Sequence, residues 1–442
     1  MKPDANQPGT AQLVEIGKPV YGGAFLARLE GKAVFVPLAL PGEQARVRLT
    51  QSKPGYATAE LEEIVASAPE RVAPGCAYFG VCGGCDYQHT GYENQLALKQ
   101  AILRETLERG GVTAPEELRV LAAKPWGYRN RIRLAFDAAG NPGYRGRRSH
   151  AVTAVSECPI AAPLLATAAQ AAAELMRQFC VALKPSEIAL FCDARETELL
   201  VSVVCANTAT KGFKEFAAAL QERVAALKGA ALLVEGQAGR KGPVQPPRIV
   251  AEWGAGSLRY GAAGFDYRVD QGAFFQVNRW LVDALVDEVT AGQHGGLAWD
   301  LFAGVGLFAR RLTAQFGRVV AVESAPSATR ALAENLKGTC GAPVRAATLD
   351  YLSGGRKGAR GEAAAPDFVV VDPPRTGLGA ETCALLAGVG AVALAYVSCD
   401  PATLARDLKL LVGAGYRIES ITLADLFPQT YHLETVVHLR RD

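Results

Sequence analysis

Between residues 12 and 66, apolar and polar positions alternate in short runs at 13–16, 24–29, 32–36, 43–49 and 56–65. A period of two is the signature of a strand with one buried face. Gly22-Gly23, Glu30-Gly31, Pro41-Gly42 and Pro54-Gly55 interrupt the runs as turns, so this stretch predicts five short strands and a small barrel of the oligonucleotide-binding type. The period then lengthens. Across 93–109 apolar residues fall at Leu96, Ile102, Leu103 and Leu107, and Gly110-Gly111 follows, which predicts an amphipathic helix.

Residues 160–264 mix alanine-rich helical stretches with strands such as 199–204, and 236–248 reads as a mobile loop. From Phe265 onward the alternation becomes regular. Strands are predicted at 297–302, 318–322, 344–347, 368–371 and 391–397, with helices from Leu307, across 326–336 and from near Thr403, and a final strand at 435–439. Such alternation predicts an α/β unit with a doubly wound, mostly parallel sheet. Gly304, Glu323, Asp350, Asp372 and Cys399 each follow the carboxyl end of one of these strands, the edge where open α/β sheets bind ligands.

A chain of 442 residues with 49% hydrophobic content has material for two to three cores. Its net charge of +3 is too small to imply a nucleic-acid partner by itself, so local patches must make that case. One stretch does. Lys124, Arg129, Arg131, Arg133, Arg145, Arg147 and Arg148 are interleaved with Trp126, Tyr128, Phe136 and Tyr144, and within the stretch only Asp137 opposes them. Cations with aromatics suit phosphate contact plus base stacking, and Arg129, Arg131 and Arg133 would share one face of a strand. A barrel used only for packing or protein contact, or a merely solvated basic strand, is the plainer alternative. The start of the chain is polar and no apolar run approaches a bilayer span, which predicts a cytoplasmic protein without a membrane partner.

Ten cysteines are too few for a disulfide scaffold in a chain of this size. Cys76, Cys82 and Cys85 are spaced C-x5-C-x2-C among glycines, and a closed thiolate site needs a fourth ligand, for which Cys158 before Pro159 is the best candidate. Zinc and an iron-sulfur cluster both accept four thiolates, so spacing does not choose between them. Cys180, Cys192 and Cys205 lack ligand spacing and are expected in a core. Cys399 stands where a buried strand turns into a helix at Ser398-Cys-Asp-Pro401. The positive end of a helix dipole favours a thiolate there, making Cys399 a candidate nucleophile against the alternative of a small packing residue. Gly304-Val-Gly306 before a helix, with an acid about twenty residues later, marks a nucleoside cofactor. The rigid Asp372-Pro-Pro turn shifts that reading toward S-adenosyl-L-methionine.

Phe274-Phe-Gln-Val-Asn278, Asp300-Leu-Phe-Ala-Gly-Val-Gly306, Asp372-Pro-Pro-Arg375, Ser398-Cys-Asp-Pro-Ala-Thr403 and Phe427-Pro-Gln-Thr-Tyr-His-Leu-Glu434 together resemble the RNA uracil-C5 (5-methyluridine) methyltransferase family. The N-terminal strands resemble its TRAM domain, and with the four clustered cysteines the likeness is nearest to bacterial members acting on 23S ribosomal RNA. The resemblance implies a Rossmann-like methyltransferase domain (93–125 and 265–442), a TRAM-like barrel (1–67) and a central α+β iron-sulfur and RNA-binding domain (68–92 and 126–264). It implies a 4Fe-4S cluster on Cys76, Cys82, Cys85 and Cys158, and an S-adenosyl-L-methionine pocket with Gln276, Phe302, Gly304, Glu323, Asp350 and Asp372. It also implies Cys399 as nucleophile, Glu434 as base, RNA as partner and a monomeric chain. Leu307 and Ala303 depart from residues the family commonly carries. The same chemistry on transfer RNA and a non-catalytic iron-sulfur RNA-binding protein are the alternatives. An amino-group methyltransferase expects an aromatic after Asp-Pro-Pro, where this chain has Arg375.

Overall fold

The structure is a computed structural model that describes residues 9, 11–179, 185–206, 208, 210–236, 247–354 and 365–441. Cys180, most of the expected loop at 236–248 and nearly all of the polar start lie outside the described residues. Among the described residues the strands form a closed barrel, a seven-stranded sheet, a two-stranded ribbon and an eight-stranded sheet.

The barrel is built from Ala11–Val20, Ala24–Leu29, Lys32–Pro37, Gln44–Ser52 and Tyr56–Ala66, the last two exchanging places in the order of pairing. Alternation sets which side chains fill it. In Gln44–Ser52, Ala45, Val47 and Leu49 are buried while Arg46 and Arg48 face solvent, and closure removes the free edges that such short strands would expose. Helix Tyr92–Arg109 follows, its apolar stripe of Ile102, Leu103 and Leu107 packed with Leu404 and Leu408 of helix Pro401–Gly413. The helices approach closely where Gly110 ends the first: a Cβ there would lie 2.6 Å from that of Ala405.

The seven-stranded sheet runs Arg248–Gly254, Leu227–Val234, Leu199–Cys205, Pro185–Cys192, Arg131–Phe136, Pro142–Arg145, Val152–Ala154. Helices Pro163–Phe179 and Phe213–Arg223 bury Leu165, Leu175, Phe213 and Phe216 against it, and Cys192 and Cys205 sit in that core as expected. In Arg131–Phe136 the buried Ile132 and Leu134 alternate with Arg131 and Arg133. Arg129 falls outside the strand, its backbone bridging Ala161 and Asn278.

The eight-stranded sheet runs Gly341–Arg345, Phe316–Glu323, Gly295–Leu301, Phe368–Val371, Ala393–Ser398, Glu434–Arg441, Tyr416–Ala424, Arg119–Leu121. The first five are parallel, Glu434–Arg441 is inserted antiparallel to both neighbours, and Arg119–Leu121 adds a short parallel edge. Phe368–Val371 and Ala393–Ser398 are buried at every position because helices cover both faces, which is why they read as unbroken apolar runs. The doubly wound expectation holds, with the alternation shifted by a residue or two at most ends. The helix after Cys399 starts at Pro401 rather than near Thr403.

Candidate active site

Cys399 occupies the turn between strand Ala393–Ser398 and helix Pro401–Gly413. Asp400 caps that helix, one carboxylate oxygen accepting the N–H groups of Ala402 and Thr403 at 3.0 Å each. The expected lowering of the thiol pKa by the helix dipole is overridden here. Burial, then the facing Glu434 and Asp372, push the Cys399 thiol up to about 12, with Arg375 pulling the other way. The first N–H groups of the helix already serve Asp400, and two acids act on the thiol against one cation. In this state the thiol keeps its proton.

Glu434 opens the neighbouring antiparallel strand, where Thr435 pairs with Ser398. It is buried, and burial together with Asp372 holds its carboxyl well above the usual range, opposed by Arg375. Burial raises Asp372 to about 7. Asp300, one residue before the end of strand Gly295–Leu301, joins this acidic group. Its Oδ2 accepts the Ala309 N–H at 2.8 Å while its buried Oδ1 has no partner, and burial with Asp372 and Glu323 raises it to about 7. Sequence reasoning missed Asp300 as a site residue; an acid within the apolar run Leu297-Ala-Trp-Asp-Leu301 was the available signal. It also missed Arg375 and His432, whose Nη2 and Nδ1 lie 3.2 Å apart.

A cavity of about 40 Å³ lies at the same edge, lined by Gln276, Phe302, Gly304, Leu307, Phe308 and Asp372 among others. Glu323 and Asp350 are not in its lining. The Glu323 carboxylate is engaged by backbone N–H groups, from Gly304 at 2.9 Å and from Ser324 and Ala325 at 2.7 Å each. Asp350 is exposed in the short helix Thr348–Leu352. Phe302 has φ 69°, a left-handed backbone unusual for a bulky side chain and a mark of local strain at this strand end. Gly306, at φ 92°, is required twice over: a Cβ would also lie 2.7 Å from Leu332 Cδ1.

Cys76, Cys82, Cys85 and Cys158 all line a second cavity, of about 310 Å³, together with Arg129, Arg131, Arg133 and Tyr144. The loop reaches it through a close approach: a Cβ on Gly83 would lie 3.0 Å from the Arg145 carbonyl oxygen. Burial first, and then Cys158 and Cys82, push the Cys85 thiol up to about 12. Among the described residues no three His, Cys, Asp or Glu side chains are set to hold a metal ion. A four-iron cluster spreads its thiolates wider than a single ion does, and four thiols around one cavity fit that donor set.

The basic stretch is less free than its composition implies. Arg133 pairs with Glu187 at 2.6 Å and Arg147 with the buried Asp86 at 3.1 Å, acids that lie far away in sequence, while Asp137 turns inward on the N–H groups of Ala139 and Asn141. Lys124, Arg145 and Arg148 are exposed. Trp280, not singled out from sequence, lies against Arg279 and Lys124 at 4.2 and 5.3 Å from its ring.

Comparison with known families and proteins bears on both regions. The tRNA (Uracil-5-)-methyltransferase family matches residues 357–442, and the TRAM domain matches residues 5–61. A 23S rRNA (uracil(1939)-C(5))-methyltransferase of Chromohalobacter salexigens is 34% identical over 98% of this chain and 90% of its own. An uncharacterized RNA methyltransferase of Streptomyces avermitilis is 33% identical over 98% of both. Among solved structures, the Pyrococcus abyssi tRNA (uracil-54, C5)-methyltransferase in complex with S-adenosyl-L-homocysteine superposes with a TM-score of 0.75 at 24% identity, covering 96% of this chain and all of that one, a likeness of fold.

Proposed function

The chain belongs to the family of S-adenosylmethionine-dependent RNA (uracil-C5)-methyltransferases, and from that premise we propose that it methylates C5 of a uridine in 23S ribosomal RNA through a covalent bond between Cys399 and C6 of the base. The relatives that match nearly the whole chain support the ribosomal substrate. One observation carries the mechanism: Ser398 and Thr435 pair across neighbouring strands, so Cys399 and Glu434, next to them in the chain, share one edge of the sheet.

C5 of uracil is too weak a nucleophile to attack a methyl group directly. Cys399, its proton released to solvent as the substrate binds, adds to C6 and moves electron density to C5, dividing a hard step into two easier ones. Arg375 is the cation that favours the thiolate against Glu434 and Asp372. S-adenosyl-L-methionine supplies the methyl group from its sulfonium. Glu434 then takes the C5 proton, the electrons re-form the C5–C6 double bond, and the Cys399 thiolate leaves. A base must leave its stack to reach this edge, and the barrel with Lys124, Arg145 and Arg148 would grip the flanking RNA.

The acids suit the donor's charge. Asp300 and Asp372 at about 7, with one orphaned Asp300 oxygen, await a positive neighbour, and Gln276, Phe302, Gly304 and Asp372 would line the cofactor pocket. Glu323 and Asp350 would meet the nucleoside beyond that lining. Cys76, Cys82, Cys85 and Cys158 would hold a 4Fe-4S cluster in a structural or RNA-contact role, in a monomer working in the reducing cytoplasm. We assign 1–67 to the barrel domain, 68–92 and 126–264 to the central domain, and 93–125 and 265–442 to the methyltransferase domain. The edge strand Arg119–Leu121 supports the last grouping.

RNA carrying 5-fluorouridine tests the mechanism. Fluorine at C5 cannot be removed as a proton, so wild-type protein is expected to accumulate a denaturation-resistant complex and Cys399→Ala none; a complex that survives Cys399→Ala overturns the proposal.

A further inference from the structure

The turn joining the first two barrel strands, Tyr21-Gly22-Gly23, reaches the Cys399 turn although it is remote in sequence. Gly22 and Gly23 have φ 102° and 80°, conformations that other residues rarely adopt, and a Cβ on Gly23 would lie 2.9 Å from Asp86 Oδ1. Asp86 also accepts the Tyr431 N–H at 3.3 Å, and its own N–H donates to the Gln429 carbonyl at 2.8 Å. The turn is thus seated against the loop that leads to Glu434.

From this seat the half-buried Tyr21 makes two contacts. Its hydroxyl donates to the Cys399 carbonyl oxygen at 3.4 Å, and its ring meets Tyr431 edge-on at 5.6 Å. Tyr431 in turn lies 4.3 Å from the His432 ring, and His432 faces Arg375. Arg375 is the cation acting on both Cys399 and Glu434. Beside Tyr21 a groove of about 640 Å³ is lined by Gly22 and Phe35 of the barrel, by Arg148, and by Ala402 and Ala405 of the helix after Cys399. RNA held by the barrel would therefore approach the reacting edge past this side chain.

We propose that Tyr21 is a positioning residue for methyl transfer: its hydroxyl fixes the Cys399 carbonyl and its ring fixes Tyr431, so that the barrel completes the reaction centre in addition to gripping RNA. The inference rests on the reading of Cys399 as nucleophile. The bond acts on the backbone that carries the sulfur. Losing it broadens the directions from which the thiolate meets C6 without removing any group that touches RNA phosphates.

The test uses the full chain with its cluster as purified, in vitro transcribed 23S RNA and labelled S-adenosyl-L-methionine. Tyr21→Phe keeps the ring and removes the hydroxyl. Its single-turnover methyl transfer at saturating RNA is expected to fall about fivefold, the scale of one neutral hydrogen bond, with RNA affinity and Tm unchanged. Tyr21→Ala is expected to fall further. A Tyr21→Phe rate equal to wild type overturns the inference, as does a loss seen only as weaker RNA binding or only as a lower Tm. A 5-fluorouridine complex that persists in Cys399→Ala defeats the nucleophile reading instead. If Cys399→Ala is inert while Tyr21→Phe is unimpaired, only the role of Tyr21 falls.

Discussion

Burial pushes the thiols of Cys399 and of Cys76, Cys82 and Cys85 toward their protonated form, yet the two places they occupy differ in their neighbours. Cys399 faces carboxylates, Glu434 and Asp372, with Arg375 as counterweight. The four clustered thiols share a cavity with Arg129, Arg131 and Arg133. In the proposed reaction a nucleophile among acids would stay protonated until substrate binds, which would restrain a reactive sulfur between turnovers. The proposed cluster's thiolates would carry excess negative charge, which Arg129 and Arg131 would offset. Identical side chains therefore take different tasks from their neighbours.

Glu434→Gln should disturb this contrast most. Turnover is expected to fall by roughly 10²- to 10⁴-fold, and a covalent complex should build up even with ordinary uridine RNA, because the C5 proton has no acceptor. Gel analysis reads this directly, and a variant that turns over normally removes Glu434 as the base. Iron content should stay at the wild-type level.

The cavity thiols should respond the other way. Cys85→Ala is expected to lose bound iron and destabilise the chain by on the order of 3 kcal/mol, measured by metal analysis and thermal unfolding. Cys399→Ala should do neither. If both variants lose iron alike, the two thiol groups are not separate.

Asp300→Asn sharpens the acidic side. An acid whose folded pKa, about 7 here, lies above its unfolded value binds its proton more tightly when folded. Below an unfolded value of about 4 there is no penalty; it grows as pH rises toward the folded pKa and is complete above it. The substitution should thus leave stability nearly unchanged at about pH 4 and raise it by on the order of 2 kcal/mol at about pH 8, without cofactor. A pH-independent effect would show that Asp300 is not the strained group. Smallest is the expected change at the sulfur itself. Asp372→Asn removes a facing anion and should speed alkylation of Cys399 by iodoacetamide roughly threefold at fixed pH, with the cavity thiols unaffected.

Much of this was legible in the chain because periodicity reports burial. The barrel strands and the all-apolar strands 368–371 and 393–398 were readable from which faces they hide. The strand Arg119–Leu121 was not, since three residues carry no period and only pairing with Tyr416–Ala424 makes them a strand. At the site, positions at strand ends were readable, but charges were not. The acids that neutralise Arg133 and Arg147, Glu187 and Asp86, are distant in sequence, and the expected lowering of the Cys399 pKa is outweighed by burial first and then by acids from other strands. Tyr21 was invisible for the same reason: the fold alone brings a barrel turn to the sheet edge.

The antiparallel insertion of Glu434–Arg441 beside Ala393–Ser398 has a last consequence. Side chains alternate across a strand, so a slip of one residue in that pairing would send Glu434 to the opposite face. The distance from the proposed base to the proposed nucleophile is then a matter of register, and register is all or none. A preparation with low specific activity would contain a mixture of fully competent and inert molecules rather than uniformly slow ones, and titrating its reactive centres would count the correctly zipped fraction.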